Sequence, residues 1–399
     1  MSKLPWRKSE KTLLKVGKPL HNLLLSILML ILLSACKPSI PQDRMFLDMS
    51  VDFLGEYKLK IDEYQDTTVG GLSAITYDPR NSRLYALADD RSNKADARFY
   101  TLNLNLNQDE SGEVNLDQVN IENVTFLRNS QGETYAPGSI DPEGIALSPE
   151  GTLYISSEGA TSQGISPFIA EFQVETGEKV DNLRLPQRYL TDTESGTPES
   201  PRGIQDNLGF EALTIKSSGG QSDPFRLFTA PESALAQDVL PLDSDPEFTT
   251  RVRFLHYLIQ PISSPILVAE HLYLLDKAPT GSVSNGLTEL LAIDPEGFFL
   301  SLERTYGLLG FGAKIFQVST VNVSDTSAID SLSSDINGVK PLKKELLLDL
   351  NDLDIYLDNL EGMALIPRLP DGSQGLILVS DNNFNQEQVT QFLLFRLNK

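Results

Sequence analysis

Apolar and polar positions alternate along this chain in short runs, and the runs come in pairs. Ile145–Leu147 and Leu153–Ile155 flank a Pro149–Glu150–Gly151 turn, which predicts a β-hairpin. The pair recurs. Gly71–Ile75 precedes Arg83–Asp89, Gly209–Leu213 precedes Arg226–Glu232, Leu287–Leu291 precedes Phe299–Glu303, and Leu360–Leu365 precedes Leu376–Asp381. Ser73, Glu143, Glu211, Glu289 and Glu361 stand at matching positions, spaced by 70, 68, 78 and 72 residues. A steady period of β-type units points to a propeller or a solenoid.

Each unit supplies further strand-like runs. These are Phe99–Leu104 and Val124–Arg128, Phe168–Val174 and Leu183–Leu190, Arg253–Ile259 and His271–Asp276, then Lys314–Thr320 and Lys344–Leu350. The last unit has only Gln391–Leu397, so its fourth strand is expected from Phe53–Lys60. Four strands per unit and a borrowed N-terminal strand predict an all-β, five-bladed propeller, which leaves few open sheet edges. Six blades and two stacked β-sandwiches are the alternatives; a sandwich leaves the period unexplained. Gln108–Glu113, Thr191–Ser200, Ala236–Glu247 and Ser324–Asn337 read as surface loops.

The start of the chain changes the picture. Lys3, Arg7, Lys8, Lys11, Lys15 and Lys18 precede the apolar run 23–33, which ends in Leu33-Ser34-Ala35-Cys36. That pattern is expected to be a lipoprotein signal peptide over residues 1–35, with Cys36 lipidated and residues 36–52 a linker to a domain over 53–399. A plain secretory signal or N-terminal anchor is the alternative. The expectation is a cell-envelope protein, anchored to a membrane through lipid on Cys36, facing the periplasm or exterior. Cys36 is the only cysteine, so no intrachain disulfide and no cysteine metal site can form. The 33 basic residues less six, and the 55 acidic residues less one, leave 27 against 54, a net charge near −27 beyond the signal. A field of that sign repels nucleic acid and attracts cations.

In a propeller the start of each innermost strand and the end of the next strand lie at one channel mouth. Glu143 with Glu158, Glu211 with Glu232, Glu289 with Glu303, Glu361 with Asp381, and Ser73 with Asp89 and Asp90 are therefore expected to form an acidic ring. Arg91, Arg202, Arg304 and Lys277 adjoin it. Carboxylates this close need cations or arginines to answer them. An oxygen-rich site without histidine suits Ca²⁺ or Mg²⁺; arginine–carboxylate pairs locking neighbouring blades are the other outcome. Asp381, Asn382 and Asn383 form the richest oxygen cluster. A serine triad needs a histidine base, and His256 and His271 both lie in apolar strands, where packed or edge histidines are expected. No G-x-S-x-G elbow, P-loop, dinucleotide motif or EF-hand spacing is present.

At these residues the chain resembles the phytase-like domain family, known for an esterase-like activity of phytase. The resemblance rests on GLSAITYD with LYALADDR, DPEGIAL with YISSEG, GFEALTI with FTAPESAL, RFLHYLI with HLYLLD, LLAID with FLSLERTYG, and LEGMALIP with LVSDNNFN. It implies an extracytoplasmic propeller that hydrolyses a small-molecule ester or phosphoester. By analogy with Ca²⁺-dependent propeller phytases, Asp89, Asp90, Glu158, Glu232, Glu303, Asn382 and Asn383 would hold metal. Glu143, Glu211, Glu361 and Asp381 would be ligands or base to the attacking water, and Arg91, Arg202, Arg304 and Lys277 would bind substrate. A monomer is expected. A non-catalytic envelope lipoprotein that binds a sugar, peptide or partner at the channel mouth is the second reading.

Overall fold

The computed structural model describes residues 45–110, 112–191, 201–217, 219–240, 249–333 and 336–399. The expected signal peptide and Cys36 therefore lie outside the described residues. No described helix is long and apolar enough to cross a membrane.

Five four-stranded antiparallel sheets account for nearly all the regular structure. Their innermost strands are Leu72–Asp78, Pro142–Leu147, Phe210–Lys216, Ser282–Ile293 and Asn359–Arg368. Each touches the innermost strand of the next blade, and the fifth touches the first, so the ring is closed. The protein is a five-bladed β-propeller, and six blades are excluded. The first four blades are each built from consecutive strands. The fifth takes its outermost strand, Ser50–Lys58, from the N-terminus. Ser50 pairs with Asn398 and Lys58 with Gln391.

The alternation follows from this architecture. Each blade buries both faces, one against each neighbour, so odd and even positions feed two different apolar seams. Along Arg83–Ala88, Leu84, Ala86 and Ala88 pack toward the fifth blade, with Ile377 and Leu394. Tyr85 and Leu87 pack toward the second, with Ile145 and Leu153. Three further seams complete the core.

The outer strands depart most from expectation. The fourth strand of blade 1 is Val114–Phe126, longer than the Val124–Arg128 run. That of blade 2 is Lys179–Asn182, not Leu183–Leu190; Leu183 and Tyr189 instead fill the seam to blade 3. Two stretches read as surface loops are partly core. Asp238 is fully buried, bound to buried Arg253, and Leu332 donates its backbone N–H to Asp238 at 2.6 Å. A polar run can be buried when its charges are paired, which hydropathy alone does not register. Residues 192–200 of a third such loop lie outside the described residues.

One feature repeats in every blade and sets up the site. Each innermost strand carries a β-bulge near its start, where one residue stands unpaired against the second strand. The bulged residues are Ser73, Glu143 (with Gly144), Glu211, Thr288 and Glu361. A bulge bends its strand and re-aims the side chain. Gly144 shows how tightly the bulges fit: a Cβ there would lie 2.3 Å from the Glu211 backbone oxygen of the next blade. Gly144→Ala is therefore expected to cost about 1–3 kcal/mol, read as a lower urea midpoint at an unchanged m-value.

Candidate functional site

The bulges put two side-chain rings at one channel mouth. The first consists of the bulged residues themselves. The second is the residue on each second strand that follows the partner of the residue just before the bulge: Asp89, Glu158, Glu232, Arg304 and Asp381. Blade 4 breaks the acidic pattern twice, offering Thr288 and Arg304. The expected blade 4 acids, Glu289 and Glu303, are each one residue out of register, and a slip of one turns a strand side chain to the other face. Glu289 is buried and accepts backbone N–H groups from Leu290, at 2.9 Å, and from Leu213 of blade 3, at 3.2 Å. Glu303 accepts from Tyr273 Oη at 2.6 Å and from the Asp276 N–H at 2.7 Å, in the seam between blades 3 and 4. Neither belongs to the mouth.

Seven of the expected acids do meet there: Asp89, Glu143, Glu158, Glu211, Glu232, Glu361 and Asp381. An eighth was not foreseen. Asp141 sits just before the blade 2 strand, 1% exposed. Carboxylate oxygens of Asp89, Asp141 and Glu143 lie within 4.8 Å of one another. The signal for Asp141 was the Asp-Pro step before a strand, which reads equally well as a turn.

Two guanidiniums answer these acids. Arg91 donates Nε to Asp141 Oδ1 at 2.7 Å and places Nη2 2.6 Å from Oδ2. Its Nη2 also donates to Asn207 Oδ1 at 2.8 Å. Arg304 donates Nη2 to Glu361 Oε1 at 3.0 Å and stands 3.4 Å from Glu232 Oε1, so it joins blades 3, 4 and 5. Gly286 makes room for this: a Cβ there would lie 2.0 Å from Glu232 Oε1. Glu158 accepts the backbone N–H of Gly209 in the next blade.

Burial is the largest cause of high pKa across the mouth. It pushes Glu143, Glu158, Glu211, Asp89 and Asp381 well above the usual carboxylate range, and neighbouring carboxylates push further. Asp141, Glu232 and Glu361 are also raised by burial, although Arg91 opposes the rise at the first and Arg304 at the other two. Glu143 and Glu211 meet burial and repulsion without a hydrogen bond to lower them.

Several other expected residues work elsewhere. Asp90 turns into its own loop, accepting the N–H groups of Asn93, Lys94 and Ala95 and pairing with buried Arg98 at 2.7 Å. Asn382 Oδ1 accepts from Gly71 N at 2.9 Å, sewing blade 5 to blade 1. Asn383 is exposed and donates its backbone N–H to Asp381. Lys277 is exposed beside a side groove with Asp276 and Glu303, and Arg202 is exposed. The histidines are packed, as expected. His256 stacks on Phe228 at 4.5 Å, with its pKa lowered to about 4 by burial, and His271 Nδ1 lies 2.9 Å from Ser324 O.

The far end of the channel is a contrasting cavity of about 510 Å³. Arg80 is the single charged residue among those that line it. The chemistry therefore concentrates at the acidic end.

A family model described as Phytase-like, esterase-like activity of phytase, matches residues 67–384. No curated protein matches the chain. Solved structures to which it is similar include an endo-arabinase from Bacteroides thetaiotaomicron VPI-5482, at 12% identity over 82% of this chain and 96% of that one, with a TM-score of 0.39. A thermostable family-43 glycoside hydrolase aligns at 10% identity over 84% and 92%, with a TM-score of 0.41. Hydrazine synthase from Kuenenia stuttgartiensis aligns at 13% identity over 81% and 80%, with a TM-score of 0.33.

Proposed function

Since this chain belongs to the phytase-like family, we propose that its acidic mouth is the active site of a metal-dependent ester hydrolase. The observation that carries the reading is the close trio Asp89, Asp141 and Glu143. An all-oxygen donor set of hard carboxylates fits Ca²⁺ or Mg²⁺. When bound, such an ion lowers the pKa of a coordinated water. Arg91 holds Asp141 in place through both of its oxygens. Glu211, unbonded and surrounded by acids, is suited to take a proton from an attacking water, because its raised pKa lies nearer neutrality. Glu361 and Asp381 complete the acidic wall, and Arg304 fixes Glu361. Arg202 and Lys277 have no place in this scheme.

The reading extends to location. Ser50 enters the propeller at the face opposite the mouth, because its partner Asn398 lies at the end of the blade away from Asp381. A chain tethered by lipid on Cys36 in the cell envelope would leave the mouth open, as a monomer acting on a small ester. The test is hydrolysis of 4-nitrophenyl acetate and 4-nitrophenyl phosphate by purified protein, with Ca²⁺ and then with chelator. Chelator-sensitive turnover is expected, reduced about 100-fold or more in Glu143→Gln and Glu211→Gln. A Ca²⁺-dependent rise in melting temperature is expected in the wild type and not in Asp141→Asn. Turnover untouched by chelator and by both glutamate variants would overturn the reading.

A further inference from the structure

The hydrolase reading leaves the charge of the substrate open, and the mouth bears on it directly. Its eight carboxylates less its two guanidiniums give a formal charge of −6 when all are ionised. Both guanidiniums are already engaged. Arg91 spends Nε and Nη2 on Asp141 and Asn207. Arg304 spends Nη2 on Glu361 and Glu232, and Nη1 on Ser284 Oγ at 3.2 Å. Its Nε is buried without a partner among the described residues. One bound divalent ion would leave at most about −4.

A second observation is independent of the acids. Asn359, 4% exposed, donates Nδ2 to Glu361 Oε1 at 2.8 Å and pairs across its blade with Asp381. Its Oδ1 is buried there with no hydrogen-bond partner. A buried acceptor left unpaired costs about 1–3 kcal/mol. What would satisfy it is a hydrogen-bond donor or a cation, and an ammonium N–H is both.

We propose that the mouth selects esters bearing an ammonium group over neutral esters, and rejects phosphomonoesters. The reaction rests on the hydrolase reading; the selection rests on charge alone. A phosphomonoester dianion would enter a field of its own sign with both arginines already paired to carboxylates, and such juxtaposition is how sites exclude wrong ligands. A cationic ester is drawn in, and steering of this kind is worth about 10-fold or more in association.

Two measurements on the full chain separate the ideas. In the first, kcat/KM is compared for acetylthiocholine, 4-nitrophenyl acetate and 4-nitrophenyl phosphate, each normalised to its spontaneous hydrolysis. The expected order is cationic, neutral, anionic, with about 10-fold between the first two. That advantage should shrink as salt rises from about 0.01 M to about 0.1 M, where the screening length falls from about 30 Å to about 10 Å. A phosphate ester cleaved as well as the neutral one, or a salt-independent order, overturns the proposal. In the second, labelled choline and inorganic phosphate are dialysed to equilibrium against wild type and Glu211→Gln. Choline retained, and retained less by the variant, supports the selection; phosphate retained in preference, or neither probe retained, overturns it. Choline retention without cleavage of any ester overturns the hydrolase and leaves the selection standing.

Discussion

Replacing Arg304 with methionine is expected to destabilise the protein by about 3–5 kcal/mol near neutral pH, the usual cost of removing one partner from a buried ion pair. Arg304 has a side chain only 13% exposed, and Glu232 and Glu361, at 5% and 10%, would be left facing each other without a counter-charge. The measurement is urea unfolding at two pH values. Near pH 4 the loss should shrink, because protonated Glu232 and Glu361 no longer repel. A methionine variant equally damaged at both pH values would show that packing, not charge, is what Arg304 supplies. Adding Glu232→Gln and Glu361→Gln should recover part of the loss, since the three residues form one network and their effects cannot be additive. Charge-driven and packing-driven losses thus have opposite signatures in pH and in the triple variant.

The second large effect is a stability curve of unusual slope. Most folded proteins hold their carboxylates below the unfolded-state pKa and gain stability as pH rises. Here burial raises all eight mouth carboxyls above it. Over the window between the ordinary and the raised values, the folded chain binds more protons than the unfolded chain, so stability present in acid is lost as pH rises. His256 works the other way between about 4 and 6.5, because burial favours its neutral form. The mouth is therefore read most clearly above that range. In chelator, the melting temperature should fall as pH rises above the ordinary carboxylate range and the raised carboxyls ionise. If the mouth holds Ca²⁺ as proposed, the ion should flatten or reverse the slope, since it would bind the deprotonated ring in preference to the unfolded chain. A melting temperature that rises across this window in chelator would contradict the account.

The sequence was most informative about what repeats. Period, alternation and the missing fourth strand of the last unit led to five blades and to a closing strand at Phe53–Lys60, which the structure places at Ser50–Lys58. They also led to a mouth rich in acids, because seven of them sit at equivalent positions. Blade 4 shows where this stops. Leu-Thr-Glu-Leu-Leu imitates Phe-Glu-Ala-Leu, yet the bulge falls on Thr288, so Glu289 caps backbone amides and Arg304 takes the place of an acid. A bulge is decided by the fit between neighbouring blades, and a pattern of hydrophobicity does not encode a shift of one residue. The same holds for Asp141 and Asn359, whose roles depend on what stands opposite them in space. Asp90 was misplaced for a different reason. It follows Asp89 directly, and only the course of the loop turns one carboxylate to the mouth and the other to Arg98.

The closing strand also constrains the order of events during folding. Ser50 and Asn398 are nearly the whole chain apart in sequence, yet they are partners in one sheet. Contacts of such separation form late and slow a chain's folding. Blades 1 to 4 can assemble as their strands emerge, while the N-terminal strand waits as an open edge for a strand that is synthesised after all of theirs. Until Gln391–Asn398 arrives, that edge is free to pair with another chain. A propeller that acquires this strand after its other blades gains from being held unfolded until the strand is made, and is vulnerable whenever the strand is delayed or clipped.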